Sequence, residues 1–426
     1  MIIVAIAFVI LLVIGMPVVF AIAISGLLFF FQHPELPRSI PLQLTISQTQ
    51  NFALLAVPMF IIAGNLMNRS GITEKLLDLA SILTGRLRGG LAQVSIALSA
   101  LIGGVSGSAI ADAAMQSRVL GGEMIKRGLA PGFAAGVLCF SSILTPIIPP
   151  GIGMILYGTV GQVSIGQMFA AGFFPAMCLG VGLSVSVWIT AKRRGYMPER
   201  THAPTGTEIK QALKGGFWAL MFPVILLFGL RTGVFTPSEI GAAAVVYAFI
   251  IGILVYRKLN GRGFVEAIDQ SLGDVGAVVF LVAVSAIFGY GIVLERIPQL
   301  ISDGIVGVTD NLSAVMVLIV IFTVIAGLVV DATVLIIMLT PIFLPLIKAL
   351  GGDPVHFGIV FIIAATIGNF TPPIGAAMYT VCSILNVRIG TYTIESLPLA
   401  LTVVLITVLL VFLPQVVLFL PTLMFR

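Results

Sequence analysis

The sequence predicts an all-α polytopic membrane protein, built as an inverted-topology repeat with two re-entrant helical hairpins and two broken helices. Hydrophobic residues fill 59% of the 426 positions and charged residues only 9%, whereas soluble domains carry about 25% charged residues. Two apolar segments resemble each other, 141–158 (SSILTPIIPPGIGMILYG) and 364–381 (AATIGNFTPPIGAAMYTV). A single additional span between the two copies makes the second copy insert upside down.

Each copy contains a proline pair inside an apolar segment of spanning length. Pro149-Pro150 and Pro372-Pro373 lie 223 residues apart. Proline lacks a backbone donor and clashes with the preceding turn, so a pair of prolines breaks a helix. In lipid, a broken helix is stable only where it packs in protein or lines a polar cavity. Paired breaks in corresponding halves therefore indicate the binding site of a secondary transporter.

A spanning helix needs about 20 apolar residues. Spans are predicted near 2–31, 51–68, 132–163, 166–191, 216–231, 236–256, 272–294, 355–386 and 396–421. The spans at 132–163 and 355–386 contain the proline pairs and are expected to be broken.

Two further apolar segments, 91–119 and 313–347, are interrupted in the middle by glycine and polar residues. The first interruption is GGVSGS at 103–108, and the second is Gly327 followed by Asp331. Each segment is long enough for two half-depth helices. Both are therefore predicted to be re-entrant hairpins whose tips end near the middle of the bilayer.

These elements divide the chain into a first inverted repeat (1–195), a linking region (196–235) and a second inverted repeat (236–426). Each repeat has an amphipathic stretch before its hairpin, at 72–79 and 296–303, which suits a helix in the interface plane. The linking region holds a polar loop and the additional span.

Basic residues fall mainly on one side of the predicted spans and set the expected orientation. This side carries Arg86, Arg88, Lys126, Arg127 and the cluster within 192–214. The positive-inside rule places that side in the cytoplasm. The N-terminus is therefore expected in the cytoplasm and the C-terminus outside.

Several function classes lack support in the sequence. The net charge of +5 is spread over loops, which does not indicate nucleic-acid binding. The three cysteines and three histidines follow no metal or disulfide spacing. A phosphate-binding loop of the GxxxxGK[ST] type and a nucleophile–base set are both absent, so neither direct ATP drive nor an enzyme is predicted.

The hairpin tip and helix break of each half supply candidate cation ligands. Breaks expose backbone carbonyls at mid-membrane, and oxygen ligands without sulfur or imidazole favour Na⁺ over a transition metal. The first half offers Ser106, Ser108 and 145–151; the second offers Gly327 and 368–374. The alternative reading is that these small residues only allow close helix packing.

Four polar side chains within the apolar segments are candidate substrate ligands: Asp112, Asp331, Asn369 and Thr371. An ionisable group inside a membrane segment is a functional hypothesis by default. Either carboxylate can instead cap the start of a helix. Asn369 and Thr371 adjoin the second break, where they can bind a cation or an organic substrate.

Three segments together resemble the large membrane subunit of tripartite ATP-independent periplasmic (TRAP) transporters, over essentially the whole chain. They are GGVSGSAIADAA (103–114), TPIIPPGIGMILYG (145–158) and GNFTPPIGAAMY (368–379). The sialic-acid branch is the nearest in overall impression.

The resemblance implies an ion-transporter superfamily fold with an elevator mechanism, in the bacterial inner membrane. It also implies Na⁺ co-transport with an organic acid, a small four-helix membrane subunit and a periplasmic substrate-binding protein. The family's Na⁺ sites, carried over to this sequence, fall at Ser106, Ser108, Thr145, Ile148 and Pro150, and at Gly327, Gly368, Thr371 and Ile374. Many of these residues would bind through backbone carbonyls.

Na⁺-driven, binding-protein-dependent uptake of sialic acid is thus the leading hypothesis. A C4-dicarboxylate subunit of the same family and a stand-alone Na⁺/dicarboxylate symporter remain open. An ion channel is disfavoured, because channels are usually built from symmetric subunits or rings of filter groups. A membrane enzyme would need a His, Cys or paired carboxylates at one depth, and the sequence offers no such set.

Overall fold

The computed structural model describes residues 1–200, 202–300, 311–372 and 375–425, and in these residues the protein is helical without strands. The first half contains α1 (Ile2–Val13), α2 (Val18–Gln32), α3 (Ile40–Thr49), α4 (Ala56–Arg69), α5 (Ile72–Thr84), α6 (Leu91–Ser106), α7 (Ala109–Gln116), α8 (Gly122–Lys126), α9 (Pro131–Ser141), α10 (Ile152–Gly161) and α11 (Ile165–Arg194).

The remaining helices are α12 (Gly206–Arg231), α13 (Pro237–Ile250), α14 (Gly261–Leu294), α15 (Leu312–Gly327), α16 (Ala332–Ala349), α17 (Pro354–Phe370), α18 (Ala376–Leu385), α19 (Ile389–Phe412) and α20 (Pro414–Met424). Seven helical segments of the described residues are long and apolar enough to cross a membrane. One of them is α16 (Ala332–Ala349), an arm of the second predicted hairpin. Length alone therefore does not distinguish a span from a hairpin arm.

Each segment predicted as a hairpin forms two helices joined by a turn. In the first, α6 turns at Gly107, which is left-handed with φ +61, and Ser108 caps α7 by accepting from the Ala111 N–H. In the second, α15 leads through 328–331 to α16, where Asp331 caps the helix by accepting from the Thr333 N–H at 2.8 Å. The arms of the second hairpin touch through the rings of Phe322 and Phe343.

Both proline-pair segments are broken helices, as the sequence predicts. The first helix runs as α9, continues as a short 3-10 turn at Ser142–Leu144, and resumes as α10. The second ends as α17 at Phe370 and resumes as α18 at Ala376. The peptide between Pro149 and Pro150 is cis.

Helix starts in the two halves follow one register. The N-cap residues lie 223 positions apart before the breaks and 224 after them: Ser108 and Asp331, Ala130 and Asp353, then Gly151 and Gly375, Ser164 and Arg388. The stretch from the N-cap of the broken helix to the N-cap that follows the break is therefore one residue longer in the second half.

The prediction of single spans at 2–31 and 396–421 was wrong. The first is divided into α1 and α2 at Gly15 to Pro17, and the last into α19 and α20 at Leu413-Pro414. A proline disfavours the α conformation of the residue before it, and Leu413 has φ −122 and ψ 61. Helix α3 was not predicted.

The amphipathic stretch at 72–79 lies within α5, which continues to Thr84. In the other stretch, residues 297–300 are helical, and 301–303 lie outside the described residues.

The broken helices occupy the interior of the molecule. Every residue of α17 from Val355 to Phe370 is buried, whereas α12 and α14 expose many large apolar side chains such as Phe228 and Leu272. Apolar side chains on the outer surface are what a lipid-facing helix requires. Pro149, Pro150 and the first tip at Gly107 are buried, whereas the second tip is more open, with Val329 54% exposed.

Ion pairs join segments of the first half, the linking region and the second half at one end of the bundle. Arg194 pairs with Glu395, Lys258 with Glu74, and Arg127 with Glu199. Arg127 and Arg194 belong to the basic set from which the cytoplasmic side is predicted.

We expect Gly368→Ala to destabilise the protein, because its Cβ would lie 2.4 Å from the Cα of Gly327, a backbone atom of the second hairpin. Overpacking of this kind costs about 1–3 kcal/mol. The apparent Tm in detergent should fall. Gly390→Ala is the control, since a Cβ there meets nothing within 4 Å. Equal Tm values for the two variants would contradict this packing.

Candidate functional site

The first hairpin tip lies directly on the first helix break. A Cβ on Gly107 would lie 2.5 Å from the Pro150 carbonyl oxygen, and one on Gly103 would lie 2.8 Å from the Ile148 Cβ. Only glycine allows such an approach of two backbones. The contacts bring the tip that carries Ser106 and Ser108 to the 148–150 segment, so four of the five residues predicted for the first cation site belong to contacting segments.

The fifth residue, Thr145, joins the break to the returning arm of the hairpin. Its hydroxyl donates to the Asp112 Oδ2 at 2.8 Å. Both residues are buried, with Asp112 1% exposed and Thr145 0%.

Asp112 receives further hydrogen bonds from both hairpin arms. The Ser99 hydroxyl of α6 donates to Oδ2 at 2.8 Å, and the Gln116 side-chain amide of α7 lies 2.9 and 3.0 Å from the two carboxylate oxygens. Neutral donors therefore occupy both oxygens. In this conformation Asp112 does not face open space, although the sequence makes it a candidate substrate ligand.

The network continues away from Asp112. The Ser95 hydroxyl donates to the Gln116 Oε1 at 2.7 Å and lies 3.0 Å from the Ser141 hydroxyl of α9. Sequence reasoning missed Ser95, Ser99, Gln116 and Ser141. The available signal was spacing: polar pairs at i and i+4 in both arms of an apolar hairpin place their side chains on one face.

The second hairpin tip packs on the second broken helix by the same means. A Cβ on Gly327 would lie 2.9 Å from the Gly368 Cα and 3.1 Å from the Ala365 carbonyl oxygen. The two glycines predicted for the second cation site are therefore in direct backbone contact. Ile374, the last residue predicted there, lies outside the described residues.

Polar side chains join this tip to this break. The Asn369 side-chain amide donates to the Asp331 Oδ2 at 3.1 Å, and the Thr371 hydroxyl donates to the Ile367 carbonyl at 2.8 Å. Asn369 is 3% exposed, whereas Asp331 and Thr371 are partly exposed. Asp331 also caps α16 through the Thr333 N–H, as the capping alternative for this residue predicts.

The donor chemistry of both regions fits a hard monovalent cation. Pro149 and Pro150 have no N–H to offer the carbonyls of Thr145 and Pro146, four residues earlier. Hydroxyl and carbonyl oxygens with one carboxylate per region suit Na⁺ better than a transition metal. Within the residues that the structure describes, no cluster of three His, Cys, Asp or Glu side chains forms a metal centre.

A surface cleft of about 430 Å³ lies elsewhere. Its lining includes Asn51, Thr159, Gln162, Ser164 and Phe425, and it contains no residue of a hairpin tip or helix break. Its position separates it from the polar chemistry described above.

Known proteins resemble this chain along most of its length. The family described as "Tripartite ATP-independent periplasmic transporter, DctM component" matches residues 5–416. The chain is 34% identical to the sialic acid TRAP transporter large permease protein SiaM of Vibrio cholerae, over 96% of this chain and 95% of that protein. It is 32% identical to the 2,3-diketo-L-gulonate TRAP transporter large permease protein YiaN of Escherichia coli, over 95% of each.

A third relative is longer. The isethionate TRAP transporter permease protein DctMQ of Oleidesulfovibrio alaskensis is 30% identical over 97% of this chain but only 65% of its own length. Among solved structures, the YdaH transporter of Alcanivorax borkumensis matches with a TM-score of 0.65 and 16% identity, over 87% of each chain. That similarity shows a shared fold.

The family match includes both hairpins and both helix breaks. TRAP large permeases are secondary transporter subunits and not enzymes, in agreement with the sequence prediction, and they work with a small membrane subunit and a periplasmic binding protein. The helices described above make this chain a multi-pass membrane protein. We conclude that the chain belongs to the DctM component family of tripartite ATP-independent periplasmic transporters.

Proposed function

We propose that this permease carries out Na⁺-coupled uptake of an organic acid, with sialic acid as the substrate to test first. The observation that carries the proposal is the contact, in both halves, between a glycine of a hairpin tip and a proline-broken helix. Relatives named for sialic acid, diketogulonate and isethionate transport support an acidic organic substrate.

We propose one Na⁺ site in each half, between tip and break. In the first, Thr145 and the carbonyls of Ser106, Ser108, Ile148 and Pro150 provide oxygen ligands. In the second, Gly327, Gly368, Thr371 and Ile374 do so. The bound co-substrate ions supply positive charge at mid-membrane, where an organic anion otherwise has no counter-charge.

The organic acid would bind between the two tips. Asp331 and Thr371 are partly exposed there, and the buried Asn369 lies beside them. The starts of the half-helices α10 and α18 provide backbone N–H groups, which suit a carboxylate. Asp331 accepts from the Asn369 amide and leaves the rest of its acceptor capacity for a cation or a substrate hydroxyl.

The proposed movement is an elevator, in which hairpins and broken helices slide against α4 and α12 as a scaffold. The contact between these parts is built from small residues. A Cβ on Gly64 of α4 would lie 2.9 Å from the Val105 carbonyl oxygen, and one on Gly104 would lie 3.1 Å from Pro223 of α12. An inverted-topology arrangement of the halves, which the additional span between them would produce, would give the two end states of alternating access.

In the complete system we propose two partners in the bacterial inner membrane, a small four-helix subunit and a periplasmic binding protein that delivers the substrate. The length of the DctMQ relative beyond the matched region supports an additional membrane subunit. We place the end that carries the Arg194 and Lys258 ion pairs in the cytoplasm. The Met1 ammonium pairs with Glu295, at the opposite end of the 34-residue α14 from Lys258, so this placement puts the N-terminus on the outer side and not on the cytoplasmic side that the sequence predicts.

Uptake into proteoliposomes tests the proposal. The permease and its small partner are reconstituted with labelled N-acetylneuraminate or succinate, each with its binding protein, and with or without an inward Na⁺ gradient. We expect uptake of N-acetylneuraminate that requires both Na⁺ and the binding protein.

Other outcomes of that assay are equally informative. Succinate uptake would indicate the dicarboxylate branch. Uptake without a binding protein would indicate a stand-alone symporter. Uptake that is indifferent to Na⁺ would contradict both cation sites.

Asp331→Asn tests the charge at the second tip without removing the helix cap, because asparagine caps as well as aspartate does. We expect uptake at sub-saturating Na⁺ to fall about tenfold, equivalent to about 1.4 kcal/mol of binding. Asp353→Asn is a matched control, since Asp353 caps α17 through Val355 and His356 outside the tip. Similar losses in both variants would refute a specific role of the Asp331 charge.

A further inference from the structure

One buried acidic side chain has no part in the proposed ligand sets. Asp112 is 1% exposed, and among the ion pairs of the described residues none includes it. Its neighbours are the neutral donors Ser99, Gln116 and Thr145. Burying a carboxylate without a cationic partner costs free energy of folding. A carboxylate in this position therefore indicates a role other than stability.

Asp112 determines the direction in which the Thr145 hydroxyl donates its hydrogen bond. A hydroxyl has one proton and two lone pairs. Because the Thr145 proton is donated to the Asp112 Oδ2 at 2.8 Å, its oxygen has only acceptor capacity left. An acceptor-only oxygen beside a helix break is the state that a cation ligand needs.

The surrounding network holds Asp112 in the required position. Gln116 bonds to both carboxylate oxygens and is itself held by Ser95, while Ser99 occupies Oδ2 together with Thr145. These donors lie on both arms of the first hairpin, and Thr145 lies at the broken helix. The carboxylate is therefore the link between hairpin and break.

The second half is built differently at the matching position. Residue 335, which lies 223 positions after Asp112, is a buried leucine, and the hydroxyl of Thr371 is oriented by the Ile367 carbonyl of its own helix. The carboxylate of this half is Asp331, which matches Ser108 at the tip. Each half thus has one carboxylate near its proposed cation site. Only in the first half does this carboxylate, Asp112, accept the proton of a proposed hydroxyl ligand, Thr145.

We infer that Asp112 is a positioning residue for the first cation site, acting through the Thr145 hydroxyl. It orients this oxygen toward the cation and supplies negative charge from behind it, and both effects raise the affinity of the site. This inference rests on the proposed Na⁺ coupling. It gives Asp112 a role in cation binding, in place of the substrate contact that the sequence suggests.

The test is the Na⁺ dependence of thermal stability, measured for the full chain with its small partner as NaCl replaces choline chloride. Asp112→Asn keeps the size of the side chain and one acceptor oxygen but removes the charge. We expect the half-saturating Na⁺ concentration to rise at least tenfold. The Hill coefficient should fall toward one, because the second site remains intact.

Thr145→Val and the double variant test whether the two residues act in series. Thr145→Val should raise the half-saturating Na⁺ concentration as Asp112→Asn does, and the double variant should add little beyond either. Additive, hundredfold losses would overturn a relay through Thr145. Ser117→Ala is the matched control, since the buried Ser117 hydroxyl lies next to Gln116 but donates to the Ala113 carbonyl of its own helix. Its half-saturating concentration should stay at the wild-type value.

The outcomes separate this inference from the proposed function. A wild-type protein without any Na⁺-dependent stabilisation would overturn the Na⁺ coupling itself. Wild-type stabilisation together with an unchanged half-saturating concentration in Asp112→Asn would overturn the inference alone. If Asp112→Asn does not fold, Gln116→Leu keeps the charge but frees the carboxylate, and we expect an increase of about threefold in the half-saturating concentration; no increase would refute the positioning role.

Discussion

The structure depends on how the backbone is satisfied where two proline pairs interrupt helices in an apolar interior. Each pair leaves carbonyl oxygens without the donors that a continuous helix would supply, and lipid offers no replacement. The hairpin tips pack closely on these broken helices, through Gly107 against the Pro150 carbonyl oxygen in one half and Gly327 against the Gly368 backbone in the other. Packing and polar chemistry are therefore concentrated at the same two places.

The two breaks belong to one packed centre. The rings of Phe140 of α9 and Phe370 of α17 lie 6.3 Å apart, and the hydroxyl of the buried Tyr392 of α19 donates to the Phe370 carbonyl at 2.7 Å. Helix α19 also approaches α9 closely, since a Cβ on Gly136 would lie 2.7 Å from the Ser396 Cβ. A conformational change at one break can therefore be transmitted to the other through direct packing. Joint binding of two cations and an anion would require such coupling.

The hairpins and broken helices could be predicted from the sequence because their signals are local. Glycine at a tip and a proline pair in an apolar segment act on the residues beside them. The same reasoning failed at Pro17 and Pro414, where a single proline is sufficient to divide a helix. It also gave Asp112 as a substrate ligand or a helix cap, because its hydrogen-bond partners come from three segments that only the folded chain brings together.

The halves also differ in a way that the repeat did not reveal. A shift of 223 residues correctly pairs Ser108 with Asp331 as helix caps, but the buried network around Asp112 has no counterpart at Leu335. Similar backbones therefore carry different charge arrangements. The repeat predicts where the proposed sites lie, and the side chains of each half determine the chemistry that each proposed site offers.

The most direct test of this account is a pair of cryo-electron microscopy maps of the permease with its small partner, one in NaCl and one in choline chloride. The account predicts Na⁺-dependent density between tip and break in both halves, beside Thr145 in the first and Thr371 in the second. Maps without such a difference, or with Na⁺-dependent density only outside the hairpin tips, would contradict it.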